Sequence, residues 1–411
     1  MKTIYVYFDD FRVTEPQLMG RLFAQPTRGK EIFSFEFEPQ WLQTPYCRLL
    51  DPDLQYFKGR QFVSESKTNF GIFTDSAPDR WGRVLLERRE SLRAKETDEP
   101  RRTLMESDFL LGVYDRTRMG ALRLKLEQDG PFLDEDPGYS TPPFTTLGEL
   151  EQASWHLEND DDPEIRKWLQ ILLAPGSSLG GARPKANIAA KDNSLWIAKF
   201  PSRSDRQDIG AWEAVAMQLA KQCGIVVADF DLARFQHYAT FLTRRFDRTL
   251  QGRRIHLTSA MTMLGYSDGQ TDGCSYLDLA EWLSRNSCHA QEDLQQMWRR
   301  LVFNIAVSNC DDHLRNHGFL LTQEGWRLSP AYDLNPMYYG SGLSLNIDEH
   351  SNALEYGLAM DVAPYFGVEA NKAAQIVADT RSVVGTWRKW ASFYHISREE
   401  QEQMAPAFRT A

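Results

Sequence analysis

Cysteine is scarce in this chain and poorly placed for cross-linking. The five present (Cys47, Cys223, Cys274, Cys288 and Cys310) are scattered over 411 residues, and no two form a C-x-x-C pair. An odd count at wide spacing argues against a disulfide framework and against a zinc site. It points to a reducing compartment, the cytosol. Long apolar runs are missing as well: none approaches the roughly 20 residues that a membrane-spanning helix requires. The N-terminal stretch 1–10 turns acidic at Asp9 and Asp10, too early for a signal peptide, and reads as a strand. No internal repeat is visible. Positive charge is in deficit, with 47 Lys and Arg against 57 Asp and Glu and a net charge of −10. Nucleic-acid binding by bulk electrostatics is therefore not expected. The densest basic stretch, Arg88, Arg89, Arg93, Lys95, Arg101 and Arg102, reads as a solvated helix face and loop before it reads as a binding patch.

What is present suits a folded chain of two or three domains. The hydrophobic fraction of 42% is enough for a sizeable core. Alternation of apolar and polar residues predicts strands over 4–8 and 31–38. Helical spacing follows over 79–95 and 104–113, with a closing strand over 120–126. A Pro/Gly-rich stretch over 127–145 reads as a linker. Helices over 147–157 and 163–173 flank an acidic run at 158–162 that suits a helix N-terminus. A glycine-rich turn over 175–185 leads into strands over 186–190 and 195–200. A helix over 209–223 and strands over 229–235 and 240–245 complete a small sheet. Beyond Phe246 the pattern turns helical, over 275–285, 290–307, 371–379, 382–390 and 397–404. The expected fold class is α+β: a bilobal, protein-kinase-like fold with an N-terminal mixed α/β subdomain (1–127), an N-lobe with a glycine-rich phosphate loop (128–245) and an all-helical C-terminal lobe (246–411).

The most informative segment is Cys310-Asp311-Asp312-His313-Leu314-Arg315-Asn316, followed by Asp333. An Asp, an Asn five residues on and a later Asp are the order in which kinase-type phosphotransferases place a base and two metal ligands. Phosphoryl transfer demands positioning and charge neutralisation more than covalent chemistry. Upstream parts appear in the matching order. Glycines in the 178–185 loop let bare backbone approach phosphate oxygens, though such turns are common and Lys185 within the loop reads equally as an exposed lysine. Lys199, flanked by apolar residues, faces either solvent or a buried anion. Glu213 on the next helix is placed to pair with it. Arg244, Arg245 and Phe246 fall where a lobe-connecting hinge would meet an adenine. Asp312 reads as a helix-dipole or solvent partner and His313 as a structural orienter. His289, His317 and His350 read as isolated, so no second metal-ligand cluster is expected.

Taken together, these pieces resemble the HipA-type serine/threonine kinase toxins of bacterial toxin–antitoxin systems. The resemblance is carried by 178–185, 197–201, 245–248, 311–316 and Tyr332-Asp333, with further likeness at 39–42, 77–80 and 109–112. It implies ATP and Mg2+ as cofactors. It assigns Gly180, Gly181, Ala182, Arg183, Pro184, Lys185 and Lys199 to the phosphates, Arg244, Arg245 and Phe246 to the hinge, and His313 and Asn316 to the nucleotide. Asp311 matches the catalytic base, Asn316 and Asp333 the magnesium ligands, and Ser178 the serine whose autophosphorylation inactivates the enzyme. The sequence departs from the family pattern at Asp312, where glycine is frequent, at Arg244, where an acidic residue is usual, and at Pro184, which stiffens the loop. The implied partners are a HipB-like helix-turn-helix antitoxin, operator DNA through that antitoxin, and a protein substrate, possibly glutamyl-tRNA synthetase or another aminoacyl-tRNA synthetase. Two alternatives stay open: a small-molecule phosphotransferase of the aminoglycoside-kinase kind, and a catalytically silent co-repressor.

Overall fold

The computed structural model describes residues 1–46, 49–133, 141–158, 168, 172, 181 and 183–410. The expected helix over 163–173, most of the acidic run, part of the linker, and Ser178, Gly180 and Ala182 lie outside the described residues. The chain divides into two compact units, Met1–Arg203 with Asp247–Ser267, and Ser204–Phe246 with Asp268–Ala411. Each unit is discontinuous in sequence, a different kind of division from the three consecutive segments read above.

The first unit is built on a five-stranded sheet in the order β4-β3-β2-β1-β5, from β1 (Lys2–Phe8), β2 (Gln17–Thr27), β3 (Lys30–Phe37), β4 (Arg60–Phe62) and β5 (Leu122–Lys125). All its pairings are antiparallel. Alternation in β1 puts Ile4, Val6 and Phe8 on one face, and all three are fully buried. Asp79 caps the helix Arg80–Thr97, its carboxylate accepting from the Gly82 N–H at 2.7 Å. The basic stretch on that helix is internally neutralised. Arg93 binds Glu90 at 2.7 Å and also Glu99, and Arg102 joins Glu90. The Arg93 contact, with help from Arg102, holds the Glu90 carboxyl down at about 2. A second element of this unit is the hairpin of β6 (Lys185–Ala189) and β7 (Leu195–Lys199).

The second unit carries the hairpin of β8 (Phe230–Arg234) and β9 (Ala239–Arg244) against the helix Ile209–Gln222. One face of that helix enters a core with Phe241, Phe303, Val307 and Trp387. Trp387 stacks on Phe408 with ring centroids 4.3 Å apart. The helix Ala290–Val307 runs through this core and ends at Ser308, whose left-handed backbone (φ 49°) turns the chain toward 309–316.

Three expectations need correction. The region after Phe246 is not all-helical: it contains His256–Ser259 in the first unit and the hairpin Gly318–Leu321/Trp326–Leu328 in the second. Strands of three or four residues, one of them the unbroken apolar run Phe319-Leu320-Leu321, offer too little alternation to register as strands. The helices expected over 371–379 and 382–390 are instead Ala370–Val384 and Trp387–Phe393, the first stopping at Gly385. The long strand β2, which contains Gly20 and Pro26, was not expected at all, since both residues interrupt a strand pattern.

Candidate active site

The second unit holds the catalytic-loop residues in one turn. Asp311 is exposed at its tip, whereas Asn316 is buried within the one-turn helix Leu314–Asn316. The Asn316 side-chain amide donates to the Asp311 carbonyl at 3.0 Å, which closes the five-residue loop and leaves Oδ1 of Asn316 as its remaining donor atom toward a cation. Asp333 sits in the left-handed region (φ 58°), which Asp tolerates better than most residues, and accepts from the Asn335 amide at 3.2 Å. Burial raises the Asp311 carboxyl above its ordinary value. The charges of Asp333 and Asp312 push the same way, and His313 opposes them. A carboxylate made more basic by burial and by neighbouring anions is suited to accept a proton.

Asp312 is not a solvent partner. It is 2% exposed, and its Oδ2 accepts from the Asn304 amide at 2.8 Å, from the Tyr276 hydroxyl, and pairs with His317 Nε2 at 2.9 Å. Burial alone would raise this carboxyl, but His317 and Tyr276 bring it below the ordinary carboxylate value. A second negative charge beside the base is thus turned inward and neutralised there. His317, read from sequence as isolated, is part of this network. Tyr276, Asn304 and His317 were missed because they reach Asp312 from 36, 8 and 5 residues away, and only His317 lies inside the motif region. The imidazole of His313 keeps a buried Nδ1 with no hydrogen-bond partner, as does the carbonyl oxygen of the Asn335 side chain. Unsatisfied polar atoms in such a turn are available to a ligand.

Arg244 closes β9 and approaches Asp229 at 3.6 Å, while Arg245 is buried. Phe246 packs on Tyr332 with ring centroids 5.4 Å apart, and the Tyr332 hydroxyl donates to the Arg315 carbonyl at 2.7 Å. The second unit therefore joins the expected hinge, the residue before Asp333 and the catalytic loop in one chain of contacts. Glu213 lies in the same unit, buried on the helix Ile209–Gln222.

In the first unit, β6 and β7 pair so that Lys185 stands directly opposite Lys199. Residues opposite one another share a face of the hairpin, and two like charges there are costly unless an anion offsets them. Asp79 supplies one offset: it meets Lys185 at 2.9 Å, and both side chains are 2% exposed. Burial raises the Asp79 carboxyl, and the Lys185 charge draws it back. Lys185 also reaches the Gly181 carbonyl at 3.3 Å, and the Trp81 indole donates to the Lys185 carbonyl at 3.1 Å. Lys185 is accordingly not an exposed lysine. Arg183 donates to the Phe200 carbonyl at 3.2 Å, and the Phe200 N–H bonds the Pro184 carbonyl at 2.9 Å, which ties the end of the glycine-rich loop to β7. Gly181 has φ 87°, a conformation that favours glycine.

The donor atoms of Asn316 and Asp333 are hard oxygens, which suit Mg2+ over a thiophilic ion. The Asp333 charge, which raises the Asp311 carboxyl, also favours a cation beside them.

Comparison with known proteins gives a consistent family. The family model described as the HipA-like C-terminal domain matches residues 177–387. The serine/threonine-protein kinase toxin HipA of Shewanella oneidensis is 26% identical over 233 residues, covering 50% of this chain and 51% of that protein. The putative kinase Y4mE of Sinorhizobium fredii is 27% identical over 180 residues, covering 38% of this chain and 41% of that one. The chain thus spans about half the length of these curated relatives. Among solved structures, HipA from the Shewanella oneidensis complex of HipA, HipB and operator DNA aligns with a TM-score of 0.66 at 18% identity, over 98% of this chain and 94% of that one. That likeness shows a shared α+β fold.

Proposed function

The chain belongs to the HipA-like C-terminal domain family, and on that premise we propose that it is an ATP- and Mg2+-dependent serine/threonine-protein kinase, the toxin of a toxin–antitoxin pair. The observation that carries this reading is the convergence of three groups: Asn316 is bonded to the Asp311 carbonyl, and Asp333 lies near enough for its charge to raise the Asp311 carboxyl. In this reading the fold is used as a two-lobed kinase.

Asp311 orients the substrate hydroxyl and accepts its proton as the oxygen attacks the terminal phosphate. Asn316 and Asp333 hold Mg2+, which when bound neutralises charge on the phosphates. His313 and Asn316 line the nucleotide, and the backbone of Arg244, Arg245 and Phe246 meets the adenine. Gly180, Gly181, Ala182, Arg183, Pro184, Lys185 and Lys199 cradle the phosphates. The face shared by Lys185 and Lys199 supports a polyanion opposite them. Ser178 is the autophosphorylation site, where about two added negative charges would compete with the ATP phosphates.

The partner is a HipB-like helix-turn-helix antitoxin that brings the chain to operator DNA, which agrees with a net charge of −10 on a protein that leaves DNA contact to another chain. The target is a translation protein such as an aminoacyl-tRNA synthetase, and the site of action is the cytoplasm. Among the described residues no helix is long and apolar enough to cross a membrane. Incubation with Mg2+ and terminally labelled ATP tests the reading: label should enter protein with the unaltered chain and fail to with Asp311→Gln or Asp333→Gln. Label on an aminoglycoside but not on protein would favour the small-molecule phosphotransferase. ATP binding with no transfer would favour the silent co-repressor.

A further inference from the structure

Cys288, His289 and Glu324 lie far from any metal-ligand spacing in sequence, yet their side chains converge. The thiol sulfur, an imidazole nitrogen and a carboxylate oxygen all lie within 4.8 Å of one another. The two segments that carry them are fixed by backbone, not by the side chains themselves. The Cys288 N–H donates to the Trp326 carbonyl at 3.0 Å, and Thr322 closes the Glu324 turn by donating to the Gly325 carbonyl at 2.8 Å. Gly325 adopts φ 151°, and a β-carbon there would stand 3.2 Å from Cβ of Cys288, so the turn presses as close to the cysteine as glycine allows.

We propose that this cluster is a binding site for a thiophilic divalent cation of the zinc class, separate from the Mg2+ site. A thiolate, an imidazole and a carboxylate form a three-ligand set that leaves water as the fourth ligand, and sulfur disfavours Mg2+. His289 is held as such ligands usually are. One ring nitrogen, Nε2, faces Glu324 at 2.6 Å, while Nδ1 lies 3.5 Å from the Glu292 carboxylate, which orients the ring. The cation replaces the proton shared by His289 and Glu324 and releases the thiol proton of Cys288. Tetrahedral zinc ligands stand about 3.3–3.8 Å apart at ordinary bond lengths, so the His289–Glu324 contact of 2.6 Å opens slightly.

The charges facing the site permit this. Arg327 is the cation among them, and it is bound to Asp293 at 2.9 Å and to Glu292 at 3.1 Å. With Cys288 as thiolate and Glu324 ionised, the surroundings are net anionic. The site would clamp the turn of the hairpin Gly318–Leu321/Trp326–Leu328 to the start of the helix Ala290–Val307, which leads into the Asp311 turn.

The test is a Co2+ titration of the full chain in saturating Mg2+, followed by absorbance. We expect one equivalent to produce a thiolate-to-cobalt charge-transfer band that Zn2+ abolishes. The band should persist in Cys310→Ser, disappear in Cys288→Ser, and require about 10–100-fold more Co2+ in Glu292→Gln. Zn2+ should also raise the unfolding temperature of the unaltered chain and not of Cys288→Ser. Absence of the band, or its survival in Cys288→Ser with the apo protein equally stable, would overturn the proposal. Neither outcome depends on kinase activity.

Discussion

Asp312 is the residue whose role changes most between sequence and structure. One oxygen accepts three hydrogen bonds in a fully buried position, and loss of that acceptor removes the partner of His317 Nε2 and of the Tyr276 hydroxyl proton and leaves Asn304 only its bonds to Tyr276 and Asn309. Asp312→Ala should therefore destabilise the protein by about 3–5 kcal/mol in urea unfolding, and Asp312→Asn, which keeps an acceptor oxygen, by clearly less. Equal unfolding midpoints for the two variants would mean that the network contributes nothing. Lys185 gives a parallel case in the first unit. Asp79→Ala removes both its buried counter-charge and the cap of the helix Arg80–Thr97, for an expected loss of about 3–5 kcal/mol. Lys185→Met combined with Asp79→Ala should recover much of it, because no buried charge is then left alone. The residues with chemistry were legible where the motif is local, as in Asp311 to Asn316. They were illegible where a partner is remote: Asp79 lies 106 residues from Lys185, and Glu324 lies 35 from His289.

At the scale of elements, periodicity served the long helices well. The helices Leu147–Leu157 and Ala290–Val307 stand where helical spacing placed them, since an amphipathic stripe repeats several times over such lengths. Leu122–Lys125 fell within the strand expected over 120–126, but periodicity failed for the other described strands of three or four residues, which complete at most two alternations. One such strand supplies a pH-dependent term. His256, on His256–Ser259, is fully enclosed, and burial together with the Arg12 charge lowers it from 6.5 to about 3. The folded state therefore holds this imidazole neutral while the unfolded chain takes up a proton below about pH 6.5. Its contribution is present above that pH and is lost as pH falls toward 3. Asp51, raised to about 6 by burial, acts in the opposite direction over the lower part of this range. The His256 term is isolated by difference. Between pH 7 and pH 4 the unaltered chain should lose roughly 2–3 kcal/mol more than His256→Gln in urea unfolding. Parallel pH profiles would contradict this.

At the scale of the whole molecule, the two compact units divide the candidate machinery between them. The first holds the two opposed lysines and the described end of the glycine-rich loop, and the second holds the proposed base, the proposed metal donors and the aromatic of the proposed hinge. Sequence order alone listed these parts as a set, because phosphotransferases use the same residue types in the same succession. It could not show that the acidic residue beside the proposed base is turned into the core, or that an exposed cysteine and a half-buried histidine meet a distant glutamate. The central claim is that the set performs phosphoryl transfer to serine. Intact-mass analysis after incubation with Mg2+ and ATP tests it most directly. The account predicts a gain of one phosphoryl group, located by peptide mapping at Ser178 and absent in Asp311→Gln. An unchanged mass in a chain that still binds ATP, or an equal gain in Asp311→Gln, would contradict it.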